Sequence, residues 1–248
     1  MAAAAPDAPA GGGNPLQQFP YESIVARAVF DRNRRSVVRL QIRFPSKDNG
    51  KKDRFGCGTG FIVLNTASHM VIMTCGHSFE TWIKGSAVRV TFHDFVRAEA
   101  QVKFLQRERE LALLVVDASA RPELSDAARY PPVAFSQADA HKGTFLVMLG
   151  YPTSTQGDAE MGTFHGSVTN EVTTIFAGRE DNVGLQLLSA DNPSGPGASG
   201  APVFGVFGDD HMVVGLCKGG LKEVSYTVPV SCIHDTLKAF VGVPRGGH

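Results

Sequence analysis

The chain has 248 residues, 43% of them hydrophobic and 19% charged, and 24 Lys+Arg balance 24 Asp+Glu to a net charge of zero. That suits one sizeable globular domain, or two lobes sharing a cleft. It gives no electrostatic case for a nucleic-acid partner, and no apolar run nears the ~18 residues of a membrane-spanning helix.

In chain order, Met1 to Gly13 is rich in Ala, Pro and Gly, with Asp7 and no basic residue. It lacks the charged start and apolar core of a secretory signal and the arginines of a transit peptide. The expectation is a disordered tail over 1–21 and an intracellular protein, cytoplasmic or nuclear, with organellar import left open. Past Tyr21 come short runs rich in Val, Phe, Ile and Thr, broken by Gly, Asp, Asn and Pro, which read as strands. Ser36 to Phe44 alternates at Val38, Leu40, Ile42 and Phe44. Gly60 to Leu64 and Met70 to Thr74 read as a hairpin, and Ala87 to Phe92, Ala98 to Phe104 and Leu111 to Val116 follow. Arg121 to Pro132 carries no strand pattern and reads as a crossing between halves. Further strands are expected at Thr144 to Leu149, Gly162 to Val168, Thr173 to Phe176, Gly184 to Leu188, Pro202 to Val206, Met212 to Leu216 and Val224 to Pro229. Ser231 to Val241 places Ile233, Leu237, Phe240 and Val241 at helical spacing. The predicted fold is all-β: a first six-stranded antiparallel barrel over 22–120, a crossing over 121–132, a second barrel over 133–229, and a C-terminal helix and tail over 230–248. A long sandwich is the alternative.

Four cysteines do not make a disulfide scaffold. Cys57 and Cys75 flank neighbouring predicted strands, so a bridge is an alternative to the expected reduced thiols. There is no Cys-x-x-Cys and no His-Glu-x-x-His, so neither metal nor cofactor is expected.

Three motifs carry chemistry. Pro196-Gly197-Ala198-Ser199-Gly200-Ala201-Pro202-Val203 presents one serine at a glycine turn before a strand-like run. Thr74-Cys75-Gly76-His77 follows an apolar strand, and Glu110 precedes Leu111-Ala112-Leu113-Leu114. A serine hydroxyl is a weak nucleophile until a base takes its proton, and histidine is the side chain suited to that near neutral pH. Glycine at 197 lets the chain turn so that its N–H and that of Ser199 aim at one point, where they stabilise an oxyanion by about 3–4 kcal/mol.

With Gly58-Thr59-Gly60-Phe61, Gly150-Tyr151-Pro152 and Val214-Gly215-Leu216, these phrases fall in an order that resembles the chymotrypsin-fold, trypsin-like serine proteases, closest to the HtrA/Deg-type branch without its peptide-binding domain. The resemblance covers about Ser36 to Phe240. It implies two chymotrypsin-like barrels with the site between them, His77 as base, Ser199 as nucleophile, and the N–H groups of Gly197 and Ser199 as oxyanion hole. Glu110 stands in the slot of the family's Asp, so an extra methylene must be absorbed. Ala201 replaces a glycine, and Lys218 replaces a small hydroxyl residue. Lys218 is expected to pair with Glu110 or to line the cleft. By alignment the first specificity pocket has its floor near Pro193 and its walls near Gly219, Gly220 and Tyr226. With no acid there, small or medium apolar side chains are expected to fit. The implied function is a serine endopeptidase acting on polypeptide substrates. The alternative is a weak or inactive protease fold used as a binding module.

Overall fold

The structure, a computed structural model, describes residues 19–46, 52–119, 121–153, 160–175, 184–221 and 224–242. Helix α1 (Phe19–Asn33) leads into strands β1 (Val37–Phe44), β2 (Arg54–Asn65), β3 (His69–Cys75), β4 (Ala87–Thr91), β5 (Arg97–Gln106) and β6 (Leu111–Asp117). A single 3₁₀ turn, Pro122–Ser125, marks the crossing. Then come β7 (Phe145–Gly150), β8 (Gly162–Ile175), β9 (Leu185–Ala190), β10 (Pro202–Phe207), β11 (Asp210–Leu221), β12 (Val224–Pro229) and helix α2 (Val230–Gly242). The strands close into two six-stranded barrels, ordered β1-β2-β3-β6-β5-β4 and β10-β11-β12-β9-β8-β7, with antiparallel neighbours throughout.

Strand alternation sorts the apolar residues into three cores. Along β3 and β6, Met70, Ile72, Ala112, Leu114 and Val116 fill the first barrel. Their alternate neighbours Val71, Met73, Cys75, Leu111 and Leu113 face out of it and are still buried. They pack on Val147, Leu149, Phe204, Val213 and Leu216 of the second barrel, so both faces of β3 are covered. A strand buried on both faces reads as a continuous apolar run, as Met70–Met73 does. Leu146, Met148, Val203 and Val214 fill the second barrel. The site is built on the seam between the barrels.

Two elements differ from the sequence reading. The region after Tyr21 begins with a helix: Ala26 and Val29 of α1 are buried on the seam. Glu22 in its first turn and Arg32 in its last suit the helix dipole. Its apolar stripe is narrow, which hid it from a periodicity count. The expected strands Gly162 to Val168 and Thr173 to Phe176 are, as far as the described residues go, one strand, β8, whose register slips between Val168 and Asn170 and again before Thr173; Phe176 lies outside the described residues. Such bulges interrupt the alternation that reveals a strand. Most of the expected tail lies outside the described residues. No helix among the described residues is long and apolar enough to cross a membrane.

Candidate active site

His77 stands just past the end of β3. The Gly76 N–H donates to the Glu110 carbonyl at 2.8 Å, which ties the end of β3 to the start of β6. The chain then enters a 3₁₀ turn, Gly76–Phe79, anchored by the fully buried Phe79. The His77 ring is left a third exposed.

Glu110 arrives from a different local device. The 3₁₀ turn Arg107–Arg109 precedes it, and Glu110 itself has φ +59°, a left-handed conformation that few non-glycine residues adopt. From this left-handed position the carboxylate reaches His77. Oε2 accepts the His77 backbone N–H at 2.9 Å and lies 3.4 Å from His77 Nδ1. The side chain is 2% exposed. Helix α2 braces the turn: Arg109 pairs with Asp235 at 3.1 Å, and the Thr236 hydroxyl donates to Gln106 Oε1 at 2.7 Å. The Lys218 ammonium lies 3.9 Å from Glu110 Oε1, the carboxylate's other oxygen.

Cys75 joins this group, and the sequence reading missed it. Its Sγ is 3.0 Å from His77 Nδ1 and 3.7 Å from Glu110 Oε2. Cys75 and His77 are two residues apart at a strand end, so both reach the same side. Burial, and next the Glu110 carboxylate, push the Cys75 thiol well above its ordinary pKa. It is therefore a neutral thiol. All four cysteines are free. Cys75, His77 and Glu110 place one ligand atom each within 4.8 Å of one another.

Ser199 sits on a turn held by carbonyls. Gly197 has φ +89°, and a Cβ there would run into the Tyr151 carbonyl. The Pro196 carbonyl accepts from Thr153 N–H at 2.8 Å, and the Ala198 carbonyl from Ala201 N–H at 2.9 Å. A trans peptide points its N–H opposite to its C=O. The N–H groups of Gly197 and Ser199 are thereby turned away from these anchors. Thr59 of β2 stitches the turn to the first barrel. Its hydroxyl donates to the Gly197 carbonyl at 2.7 Å and accepts from Tyr151 N–H at 2.9 Å. Its N–H donates to the Ser199 carbonyl at 2.9 Å. The Ser199 hydroxyl donates to the Lys218 carbonyl at 3.2 Å. Ala201 packs against Gly150, which has no side chain to obstruct the added methyl.

Of the residues expected around the first specificity pocket, Pro193 is exposed; its neighbour Asn192 is buried, as are Ser225 and Thr227 of β12. Ser225 Oγ donates to Asn192 Oδ1 at 2.6 Å. That bond fixes the amide and leaves Asn192 Nδ2 buried without a partner, as is Thr227 Oγ1. Tyr226 alternates to the other face and packs on the seam. Gly219 and Gly220 lie beside Ser199 and Ser225: a Cβ at Gly219 would sit 3.9 Å from Ser199 Oγ, and Gly220 pairs with Ser225.

No curated protein matches the chain. Among solved structures, the active form of the Rv3671c protease from M. tuberculosis is similar with a TM-score of 0.66 and 22% identity, over 100% of this chain and 96% of that one. Its inactive form gives a TM-score of 0.63 and 22% identity, over 89% and 96%. At this identity they show a shared fold. The family model for the trypsin-like peptidase domain matches residues 58–216, which span the glycine phrase of β2, His77, Glu110, Ser199 and the paired stretch of β11. With well over half of the chain matched, this protein belongs to the trypsin-like peptidase domain family and is a trypsin-like serine peptidase.

Proposed function

We propose that the domain is an endopeptidase whose acyl-enzyme forms on Ser199, with His77 as general base, Glu110 as the acid that orients it, and the N–H groups of Gly197 and Ser199 as the oxyanion hole. The observation that carries this reading is the grip of one Glu110 oxygen on His77, at 2.9 Å from its backbone nitrogen and 3.4 Å from Nδ1. A carboxylate at Nδ1 favours the tautomer whose Nε2 is free to accept a proton, and it stabilises the imidazolium that forms. Ser199 then gives its proton to Nε2 as Oγ attacks the scissile carbonyl. The oxyanion develops where two preset N–H groups converge, a contribution of about 10²–10³ in rate per donor. His77 returns the proton to the leaving amine. Water repeats the cycle to release the acid product. The contact between the Ser199 hydroxyl and the Lys218 carbonyl is a resting position that substrate displaces.

In this reading the first specificity pocket is polar and neutral. Asn192 Nδ2 and the Thr227 hydroxyl are buried donors lacking acceptors, each at a cost of about 1–3 kcal/mol. A substrate side chain bearing a carbonyl recovers that cost, and Gln or Asn supplies one without bringing a charge. The test is hydrolysis of a peptide panel varied only in the residue before the scissile bond. Gln is expected to be cleaved above Leu, with the order reversed in Asn192→Leu and all cleavage lost in Ser199→Ala. Equal cleavage of the panel by both pocket forms would overturn the pocket assignment, and cleavage by Ser199→Ala would overturn the nucleophile.

A further inference from the structure

Peptide hydrolysis gives the Cys75 thiol no task, yet it touches both groups that steer the proposed base. We propose that Cys75 Sγ, His77 Nδ1 and Glu110 Oε2 form a regulatory site for a thiophilic divalent cation of the Zn²⁺ type, and that its binding switches the peptidase off.

The geometry is nearly that of a metal site. The three atoms form a triangle with edges of 3.0 Å (S to N), 3.7 Å (S to O) and 3.4 Å (N to O). A tetrahedral zinc ion, with bonds of about 2.3 Å to S and about 2.0–2.2 Å to N and O, needs edges of about 3.6, 3.6 and 3.4 Å. Two edges already fit, and the third must open by about half an ångström. Cys75 ends β3, and His77 and Glu110 stand in the turns next to β3 and β6, which the Gly76 to Glu110 hydrogen bond ties together. The ion enters past the His77 ring, the exposed member of the three.

The donor chemistry selects the ion. One thiolate, one imidazole and one carboxylate suit Zn²⁺ and its neighbours, whereas Ca²⁺ and Mg²⁺ require all-oxygen shells. On binding, the Cys75 S–H bond breaks, its proton leaves to solvent, and the thiolate binds the ion. The thiolate and the Glu110 carboxylate together balance the divalent charge. The fourth position takes water, as in other three-ligand zinc sites. Lys218 faces the carboxylate's other oxygen at 3.9 Å and repels an incoming cation. That sets the affinity below that of a structural zinc site, as suits a reversible regulator.

The switch follows from the tautomer. A metal on Nδ1 confines the one proton of neutral His77 to Nε2, the nitrogen that must accept the Ser199 proton. The Glu110 contact with Nδ1 is replaced at the same time. This inhibitory half rests on His77 being the base; the binding half does not.

The test separates the two. Co²⁺, an optical probe, is titrated into full-length Ser199→Ala protein. A thiolate-to-cobalt charge-transfer band is expected at one ion per chain, chased by Zn²⁺. It should vanish when Cys75→Ala or Cys75→Ser is added, with Cys57, Cys217 and Cys232 as internal controls. In protein that keeps Ser199, Zn²⁺ should stop hydrolysis and EDTA restore it. In Cys75→Ser the half-inhibiting Zn²⁺ concentration should rise at least about tenfold. No charge-transfer band in folded protein, or a band unchanged in both Cys75 variants, overturns the site. A band with equal zinc sensitivity in Cys75→Ser overturns the switch. A band in a chain that cleaves nothing keeps the site and refutes the peptidase mechanism instead.

Discussion

At the scale of single residues, Glu110 reaches His77 from a left-handed backbone position. A left-handed φ at a non-glycine residue costs about 1–3 kcal/mol, and here it accompanies the contact of Glu110 with His77. Its carboxylate is 2% exposed, and the Lys218 ammonium, 27% exposed, stands 3.9 Å away. Removing one partner of such a pair strands a buried charge, whereas removing both does not. Glu110→Gln is therefore expected to lower kcat by up to about 10⁴ while the protein stays folded. Lys218→Met should lower both stability and kcat, and the double variant should resemble Glu110→Gln alone. A double-mutant cycle in kcat and in unfolding free energy checks this, and additive effects would uncouple the pair. The sequence left Lys218 either on Glu110 or in the cleft, and its 3.9 Å contact with the carboxylate is the first of these. Cys75 and Asn192 were not legible. Their surroundings come from what the start of β6 and β12 bring against them, which no local spacing encodes.

At the scale of elements, the seam depends on Thr59 of β2. Its hydroxyl serves two groups of the other barrel, the Gly197 carbonyl and the Tyr151 N–H, and Thr59 is fully buried. Thr59→Val keeps the shape and strands both partners, each at about 1–3 kcal/mol. Tm should fall by about 2–4 °C per kcal/mol in a domain of this size. Because the Gly197 carbonyl is freed, kcat should fall more than KM rises. Differential scanning calorimetry and steady-state kinetics check the two parts, and an unchanged Tm would mean that Thr59 bridges nothing of consequence. The strands themselves were readable from alternation and turn residues. Helix α1 and the bulged β8 were not, since one buries a narrow stripe and the other breaks period two.

At the scale of the molecule, the barrels leave their residual apolar faces to each other, and the three chemical motifs lie along that seam. Closed barrels carry no free edge strands. The turns at the seam, pinned by carbonyl contacts rather than by regular pairing, are where reactive groups can be held at fixed angles. The end of β3, the start of β6 and the turn before β10 meet at this seam: the Gly76 N–H donates to the Glu110 carbonyl, and a Cβ at Gly200 would meet the Cys75 nitrogen. The central claim is that Ser199 is an activated nucleophile. Intact-protein mass spectrometry after exposure to a fluorophosphonate tests it most directly. The account predicts one adduct per chain on Ser199, slower labelling in Glu110→Gln, and none in His77→Ala or Ser199→Ala. A folded wild-type protein that acquires no adduct would contradict it.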